Sequence, residues 1–270
     1  MNQKVDVLKK ITDSNELFII AGPCAIENKE TTFMIAEKLK IICEKHKIHL
    51  IFKGSYRKAN RTKFNSFTSI GDEKALKILQ KIRQEFNIPV TTDIHSSYEA
   101  KNAAKFVDMI QIPAFLCRQT DILVAAAKTK KYINIKKGQF MSPENMKFAV
   151  EKIIKNGNEN IFLTERGTTF GYHDLVVDFR SIPIMKKFIG NVIIDATHSI
   201  QKPNHKSGIT DGDSLMIETI AKAGIAAGAD GLFVETHPDP KKSQSDGSNM
   251  ININRLEKLL SKLVKIKNAL

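Results

Sequence analysis

The stretch IIDATHS, residues 193–199, continues an apolar run from Val192 and ends in Asp195, Thr197 and His198. A segment that starts like a buried strand therefore finishes in residues able to do chemistry. Seven other stretches repeat the pattern: IIAGPCAIE (19–27), LIFKGSYRKANR (50–61), VTTDIH (90–95), MIQIPAF (109–115), INIKKGQF (133–140), IFLTERG (161–167) and LFVETHP (232–238). Each apolar run has the length of a strand rather than a helix. Each is nearly continuous in its apolar character, as parallel strands buried on both faces are.

Working outward, strands are expected near residues 17–21, 49–54, 89–93, 108–112, 132–136, 160–164, 191–195 and 231–235. Helical spacing lies between them, at Ile35, Leu39 and Ile42, at Leu76, Leu79, Ile82 and Phe86, and at Leu256, Leu260 and Leu263. Ser142 and Pro143 form an N-cap pair that opens another helix, and Asp211 to Ala227 is expected to be helical. Eight such alternations favour an α/β fold closed into a single (β/α)8 TIM barrel over an open sheet. No glycine-rich dinucleotide or P-loop motif supports the open-sheet alternative. Residues 1–16 read as a short N-terminal extension covering one barrel end, and the whole chain as one catalytic domain. In a closed barrel every strand ends on the same face, so the reactive endings should converge.

At 270 residues the chain can bury a sizeable core, and its 42% hydrophobic and 26% charged content is that of a soluble globular protein. The apolar run around Ile220–Val234 is interrupted by Lys222 and Asp230, so no membrane span is expected. The charged N-terminus lacks the apolar centre of a signal peptide, and a cytoplasmic location is expected. Cys24, Cys43 and Cys117 have neither zinc-ribbon nor redox-pair spacing; Cys43 and Cys117 read as packing residues. The net charge of +13 raises the possibility of a nucleic-acid partner. Many lysines, however, alternate with apolar residues on helical patterns, where they solvate outer faces, and no nucleic-acid motif is present.

Two groups at the strand ends carry chemistry. Lys53, Lys58, Arg61, Arg118, Lys136 and Arg166 form a cationic set whose mutual repulsion calls for anions, such as a substrate bearing phosphate and carboxylate groups. Cys24, His198, Glu235 and Asp246 supply a thiol, an imidazole and two carboxylates, a mixture suited to a divalent ion such as Zn, Fe, Mn or Co. Their spacing is not diagnostic. Taken singly, Cys24 is more often a small buried hydrophobe, His198 a hydrogen-bonded structural histidine and Asp246 a turn former, while His95, His237 and Asp93 compete as ligands.

The segments AGPCAIE (21–27), KANR (58–61), TTDIH (91–95), QIPAFLCRQTD (111–121), NIKKGQF (134–140), LTERGTTFGYHDLVVDFRS (163–181), DATHS (195–199) and ETHPDP (235–240) together resemble the 3-deoxy-D-manno-octulosonate 8-phosphate synthase family. The resemblance runs from about residue 17 to about residue 266. It implies a homotetrameric barrel that condenses phosphoenolpyruvate with D-arabinose 5-phosphate for lipopolysaccharide inner-core synthesis. It further implies that Lys53, Lys136 and Arg166, with Ser55, Lys58, Gln111 and Gln139, receive phosphoenolpyruvate, and that Asp93 and Phe115 border the substrates. Asn60 and Arg61 would hold arabinose 5-phosphate, with Arg118 reaching its phosphate from a neighbouring subunit. Cys24, His198, Glu235 and Asp246 match the ligands of the family's metal-dependent branch, whereas the metal-independent branch has Asn in place of Cys24. Lys53, Lys136, His198 and Asp246 are the residues expected to act in catalysis.

The chain departs from the family pattern after KANR. Thr62, Lys63 and Thr68 stand where two serines and an arginine are usual, Arg57 is additional, and residues 205–214 match more weakly. The related 3-deoxy-7-phosphoheptulonate synthases share the barrel and the Gly-Pro-Cys cysteine but usually read KPRTS where this chain has KANRT (58–62), which favours the five-carbon sugar.

Overall fold

A computed structural model describes residues 7–61, 63–171, 174–202 and 211–270. Eight parallel strands occur in chain order: β1 (Phe18–Gly22), β2 (His49–Lys53), β3 (Val90–Asp93), β4 (Met109–Ile112), β5 (Tyr132–Lys136), β6 (Ile161–Glu165), β7 (Asn191–Asp195) and β8 (Gly231–His237). Each pairs with the next, and β1 pairs with β8 through Phe18 opposite Gly231 and Gly22 opposite Glu235, which closes the sheet into a (β/α)8 barrel. A short segment, Ile251–Asn252, adds parallel pairing at the end of β8. Every strand expected from the sequence is present within a residue or two of its expected ends.

The helices are α1 (Val7–Asp13), α2 (Lys29–His46), α3 (Asp72–Phe86), α4 (Ser97–Ala103), α5 (Thr120–Lys128), α6 (Met146–Ile154), α7 (Ser181–Met185), α8 (Ile217–Ala226) and α9 (Ile253–Lys267). Ile35 and Leu39 of α2, Leu76, Leu79 and Ile82 of α3, and Leu256, Leu260 and Leu263 of α9 are buried against the barrel wall, as their spacing predicts. Ile42 and Phe86 pack at the edge of that layer.

Two helix starts differ from expectation. After Pro143 the chain makes successive i to i−3 bonds, from Asn145 to Ser142 and from Met146 to Pro143, so the opening turn is wound tightly and α6 begins at Met146. In the stretch expected to be helical from Asp211, residues Asp211–Gly212 instead pair antiparallel with Gln201–Lys202. The Asp213 carboxylate then accepts from the Leu215 amide, and α8 begins only at Ile217. A β ladder and an aspartate cap satisfy the backbone there, which removes the need for a helix.

The two-residue period of a strand decides what enters the barrel. Phe18, Ile20, Ile51, Met109, Phe162, Ile193 and Phe233 form one interior cluster, joined by Leu8 and Ile11 of α1. Their alternate neighbours Ile19, Leu50, Phe52, Ile110, Leu163, Ile194, Leu232 and Val234 belong to the layer shared with the helices. Moving two residues along from the interior set gives Lys53, Gln111, Thr164, Asp195 and Glu235. Parity therefore carries the polar strand ends onto the inside.

Candidate functional site

A cavity of about 560 Å³ opens at the C-terminal ends of the strands. Among its lining residues are Cys24, Lys53, Lys58, Lys136, Arg166, His198, Glu235 and Asp246. Ser55, Asn60, Asp93, Gln111, Phe115 and Gln139 border it too, so these members of the expected substrate set share one space. Arg61 and Arg118 do not line it. Arg61 is turned back by bonds from Nη1 to the Lys58 carbonyl (2.8 Å) and the Thr68 hydroxyl (2.9 Å). Arg118 is exposed, and its carbonyl accepts from Lys152 at 3.0 Å. Thr62 and most of residues 205–214 lie outside the described residues. A larger cleft of about 680 Å³ lies outside the barrel between α8, α9 and the loop after β8, and it contains none of the inward strand-end residues. Chemistry, rather than volume, selects the barrel mouth.

Two of the cations are held by acidic partners one strand removed, with β1 between Lys53 and Glu235 and β6 between Lys136 and Asp195. Lys53 Nζ donates to Glu235 Oε1 (2.7 Å) and to the Cys24 carbonyl (2.7 Å). Lys136 Nζ donates to Asp195 Oδ2 (2.6 Å) and sits 3.3 Å from the centroid of the ring of Phe233, a member of the interior apolar cluster. Burial depresses the pKa of Lys136, although Asp195 opposes the shift. Burial likewise depresses that of Arg166 against the pull of Asp195. Arg166 gives Nη2 to Gln201 (2.8 Å) and leaves Nη1 buried without a partner among the described residues.

Asp195 orders the centre. Its Oδ1 accepts from the Thr197 amide (3.0 Å) and the His198 amide (2.8 Å), while Oδ2 contacts His198 Nδ1 (2.8 Å) as well as Lys136. Burial alone would raise its pKa, but His198 and Lys136 pull it far below the usual carboxylate range. Thr197 Oγ1 accepts from the Glu235 amide at 2.8 Å, so IIDATHS fixes its own histidine and the neighbouring strand together.

On the far side, Asp93 accepts from Ser55 and Gln111. The Gln111 carbonyl takes Asn134 Nδ2 (3.1 Å), and Asn134 accepts from Thr164 Oγ1 (2.7 Å), forming a polar chain from β3 to β6. Burial would raise the Asp93 pKa, but Lys53 and His95 bring it down to about 2.

The sulfur of Cys24 and carboxylate oxygens of Glu235 and Asp246 lie within 4.8 Å of one another. His198 stands outside that group but reaches it through Nε2, 3.5 Å from Glu235 Oε1. Glu235 Oε2 is buried and has no partner among the described residues, and Lys58 Nζ contacts both Cys24 Sγ (3.1 Å) and Asp246. Burial, reinforced by Glu235, pushes the Cys24 thiol up to about 12, so ligation there would displace a proton. A thiol and two carboxylates around an orphan oxygen, with an ammonium already drawn in, fit a divalent cation. His95 and His237 are engaged elsewhere: His95 by Glu99 (3.2 Å), and His237 by the Asp239 carbonyl (2.7 Å).

Sequence reasoning passed over several contributors. Asp195 was visible in IIDATHS as a strand end, but its double grip on Lys136 and His198 depends on β5 and β7, which flank β6, turning their ends into the same barrel mouth. Asn134, a polar residue inside an apolar strand, carried a readable signal. Gln201 had none.

The model of the DAHP synthetase I family matches residues 3–270. Among curated relatives, a 2-dehydro-3-deoxyphosphooctonate aldolase of Geobacter sulfurreducens is 48% identical over 95% of this chain and 94% of its own. Namesakes from Desulfotalea psychrophila (49% identical; 94% of this chain and 90% of theirs) and Brucella ovis (47%; 94% and 91%) are equally similar. The closed barrel, the charged residues gathered at its mouth and a family match spanning nearly the whole sequence agree, and the chain belongs to the DAHP synthetase I family.

Proposed function

We propose that this chain condenses phosphoenolpyruvate with D-arabinose 5-phosphate and water, yielding 3-deoxy-D-manno-octulosonate 8-phosphate and inorganic phosphate for lipopolysaccharide synthesis. The observation that carries the reading is the convergence of Lys53, Lys58, Lys136 and Arg166 on one cavity, with Arg166 Nη1 buried and without a partner among the described residues. Such a donor face favours an anion strongly in a low-dielectric pocket. The shared name of the relatives supports the choice of substrates.

Lys53, Lys136 and Arg166, which share the cavity, receive the phosphate and carboxylate of phosphoenolpyruvate, while Asn60 on its rim and Arg61 beside it hold arabinose 5-phosphate, whose phosphate Arg118 reaches from a neighbouring subunit. C3 of phosphoenolpyruvate attacks the aldehyde carbon, forming the new carbon–carbon bond and an alkoxide while C2 becomes electron-poor. Lys136 lies where it can offset the negative charge, and Asp195 keeps it and His198 oriented. Water adds to C2, and the C–O bond breaks so that phosphate leaves with the bridging oxygen. With Nδ1 turned to Asp195, His198 presents Nε2 towards Glu235 and the cavity. A divalent metal ion (Zn, Fe, Mn or Co) held by Cys24, His198, Glu235 and Asp246 would supply a Lewis acid that orients the aldehyde or acidifies the water.

The same reading carries a homotetramer in the cytoplasm, with no nucleic-acid or membrane partner. Arg118 and the exposed Phe115, Phe140 and Phe170 support a neighbouring subunit near this face. Among the described residues no helix is long and apolar enough to cross a membrane.

The test is phosphate release from phosphoenolpyruvate with arabinose 5-phosphate or erythrose 4-phosphate, using protein stripped by chelator and resupplied with single metals. Turnover with the five-carbon sugar that vanishes and returns with metal is expected. Preference for erythrose 4-phosphate would overturn the sugar assignment, and full activity after verified stripping would overturn the metal role. In labelled water the label should enter the sugar acid; label mainly in phosphate would sink the C–O cleavage scheme.

A further inference from the structure

Lys137 and Glu165 form a fully buried pair that no step above uses, with Nζ 3.5 Å from Oε1. Strand parity turns both away from the cavity, while their chain neighbours Lys136 and Arg166 line it. Lys137 Nζ also faces the carbonyls of Gly138 (3.4 Å), Met141 (3.3 Å) and Gly167 (3.4 Å) and the hydroxyl of Thr168 (3.1 Å). Gly138 and Met141 belong to the loop after β5, Gly167 and Thr168 to the loop after β6. One ammonium therefore ties together the two loops that carry Gln139 and Arg166.

The surrounding backbone follows the same geometry. Glu165 Oε1 accepts from the Gly167 amide at 2.7 Å, and Gly167 has φ +89°, a left-handed turn that glycine allows immediately after Arg166. The Thr169 amide donates to the Gln139 carbonyl at 3.1 Å. Desolvating a lysine and a glutamate is costly, and apolar residues of similar volume would stabilise a barrel wall at least as well. What an apolar pair would not supply is a hub of directed contacts on both loops. We propose that Lys137 and Glu165 are positioning residues for phosphoenolpyruvate, clamping the β5 and β6 loops so that Gln139 and Arg166 face the bound anion. The inference rests on the reading of this cavity as the phosphoenolpyruvate site.

The experiment compares wild type with Lys137→Met, with the neutral pair Lys137→Met/Glu165→Gln, and with Ile82→Ala. Ile82 is buried on α3, away from the cavity, and serves as a control for destabilisation alone. Calorimetric phosphoenolpyruvate binding, KM for each substrate and Tm are measured for all four proteins. Both Lys137 variants should weaken phosphoenolpyruvate binding and raise its KM by about tenfold or more, with KM for arabinose 5-phosphate changed by less than about twofold. Ile82→Ala should leave both KM values within about twofold at a comparable loss of Tm. If Lys137→Met does not fold, the neutral pair, which leaves no unpaired buried charge, decides. Unchanged phosphoenolpyruvate affinity in the folded pair variant, or equal weakening in Ile82→Ala, overturns the inference. A wild type that binds no phosphoenolpyruvate overturns the site reading itself.

Discussion

Replacing Asp195 with Asn tests the centre of the site most directly. The substitution is nearly isosteric, and the amide oxygen can still accept from the Thr197 and His198 amides that now bond Oδ1. It removes the charge opposite Lys136, whose side chain is 5% exposed while that of Asp195 is fully buried. Breaking a buried pair from one side costs about 3–5 kcal/mol, mostly because the remaining charge is left uncompensated. At roughly 2–4 °C per kcal/mol for a chain of this size, Tm should fall by roughly 6–20 °C. Turnover should fall by about a hundredfold or more, because Lys136 and His198 lose the acceptor that orients both. Denaturant unfolding and steady-state kinetics would be compared for Asp195→Asn, Lys136→Met and the double variant. If the pair acts as described, the double variant should be more stable than the sum of the single losses implies, by about 2 kcal/mol or more, while remaining inactive. Additive losses, or near-wild-type turnover in Asp195→Asn, would refute the coupling of Lys136 to Asp195.

Three further outcomes are expected. Glu99 accepts from Tyr56, Arg57 and His95; burial would raise its pKa from 4.5, but His95 and Tyr56 bring it to about 2. Its contribution to stability is thus complete above pH 4.5 and lost as pH falls towards 2, and Glu99→Gln should flatten the decline of the unfolding free energy, followed by urea titration at each pH, by about 1–2 kcal/mol after allowance for solvent screening. Gly224→Ala would normally favour a helix by about 1 kcal/mol. Here the added Cβ would lie 2.6 Å from Ile194 on β7, so the sign should reverse to a loss of about 1–3 kcal/mol by urea unfolding. His198→Ala should lose metal or activity, whereas Cys24→Asn should retain some activity without metal; wild-type metal content in both, measured on dialysed protein, would mean the ligand set is misassigned.

The sequence alone determined the eight strands and their closure, because a short continuous apolar run followed by an amphipathic helix has few solutions other than a covered parallel sheet. It also pointed to the functional face, since strands such as that ending in Asp195 share one direction in a closed barrel. Local competition set the limits of that reading. The residues from Asp211 took a ladder and a cap instead of a helix, and the turn after Pro143 wound more tightly than α geometry. Only the tertiary structure decided who partners whom. Lys136 meets Asp195 across 59 residues, Lys53 meets Glu235 across 182, and Lys58 meets Asp246 across 188. Barrel curvature and strand parity bring these pairs together, and neither local propensity nor spacing encodes them. The division between the inward Lys136 and the outward Lys137, adjacent residues of the same type, follows from that parity.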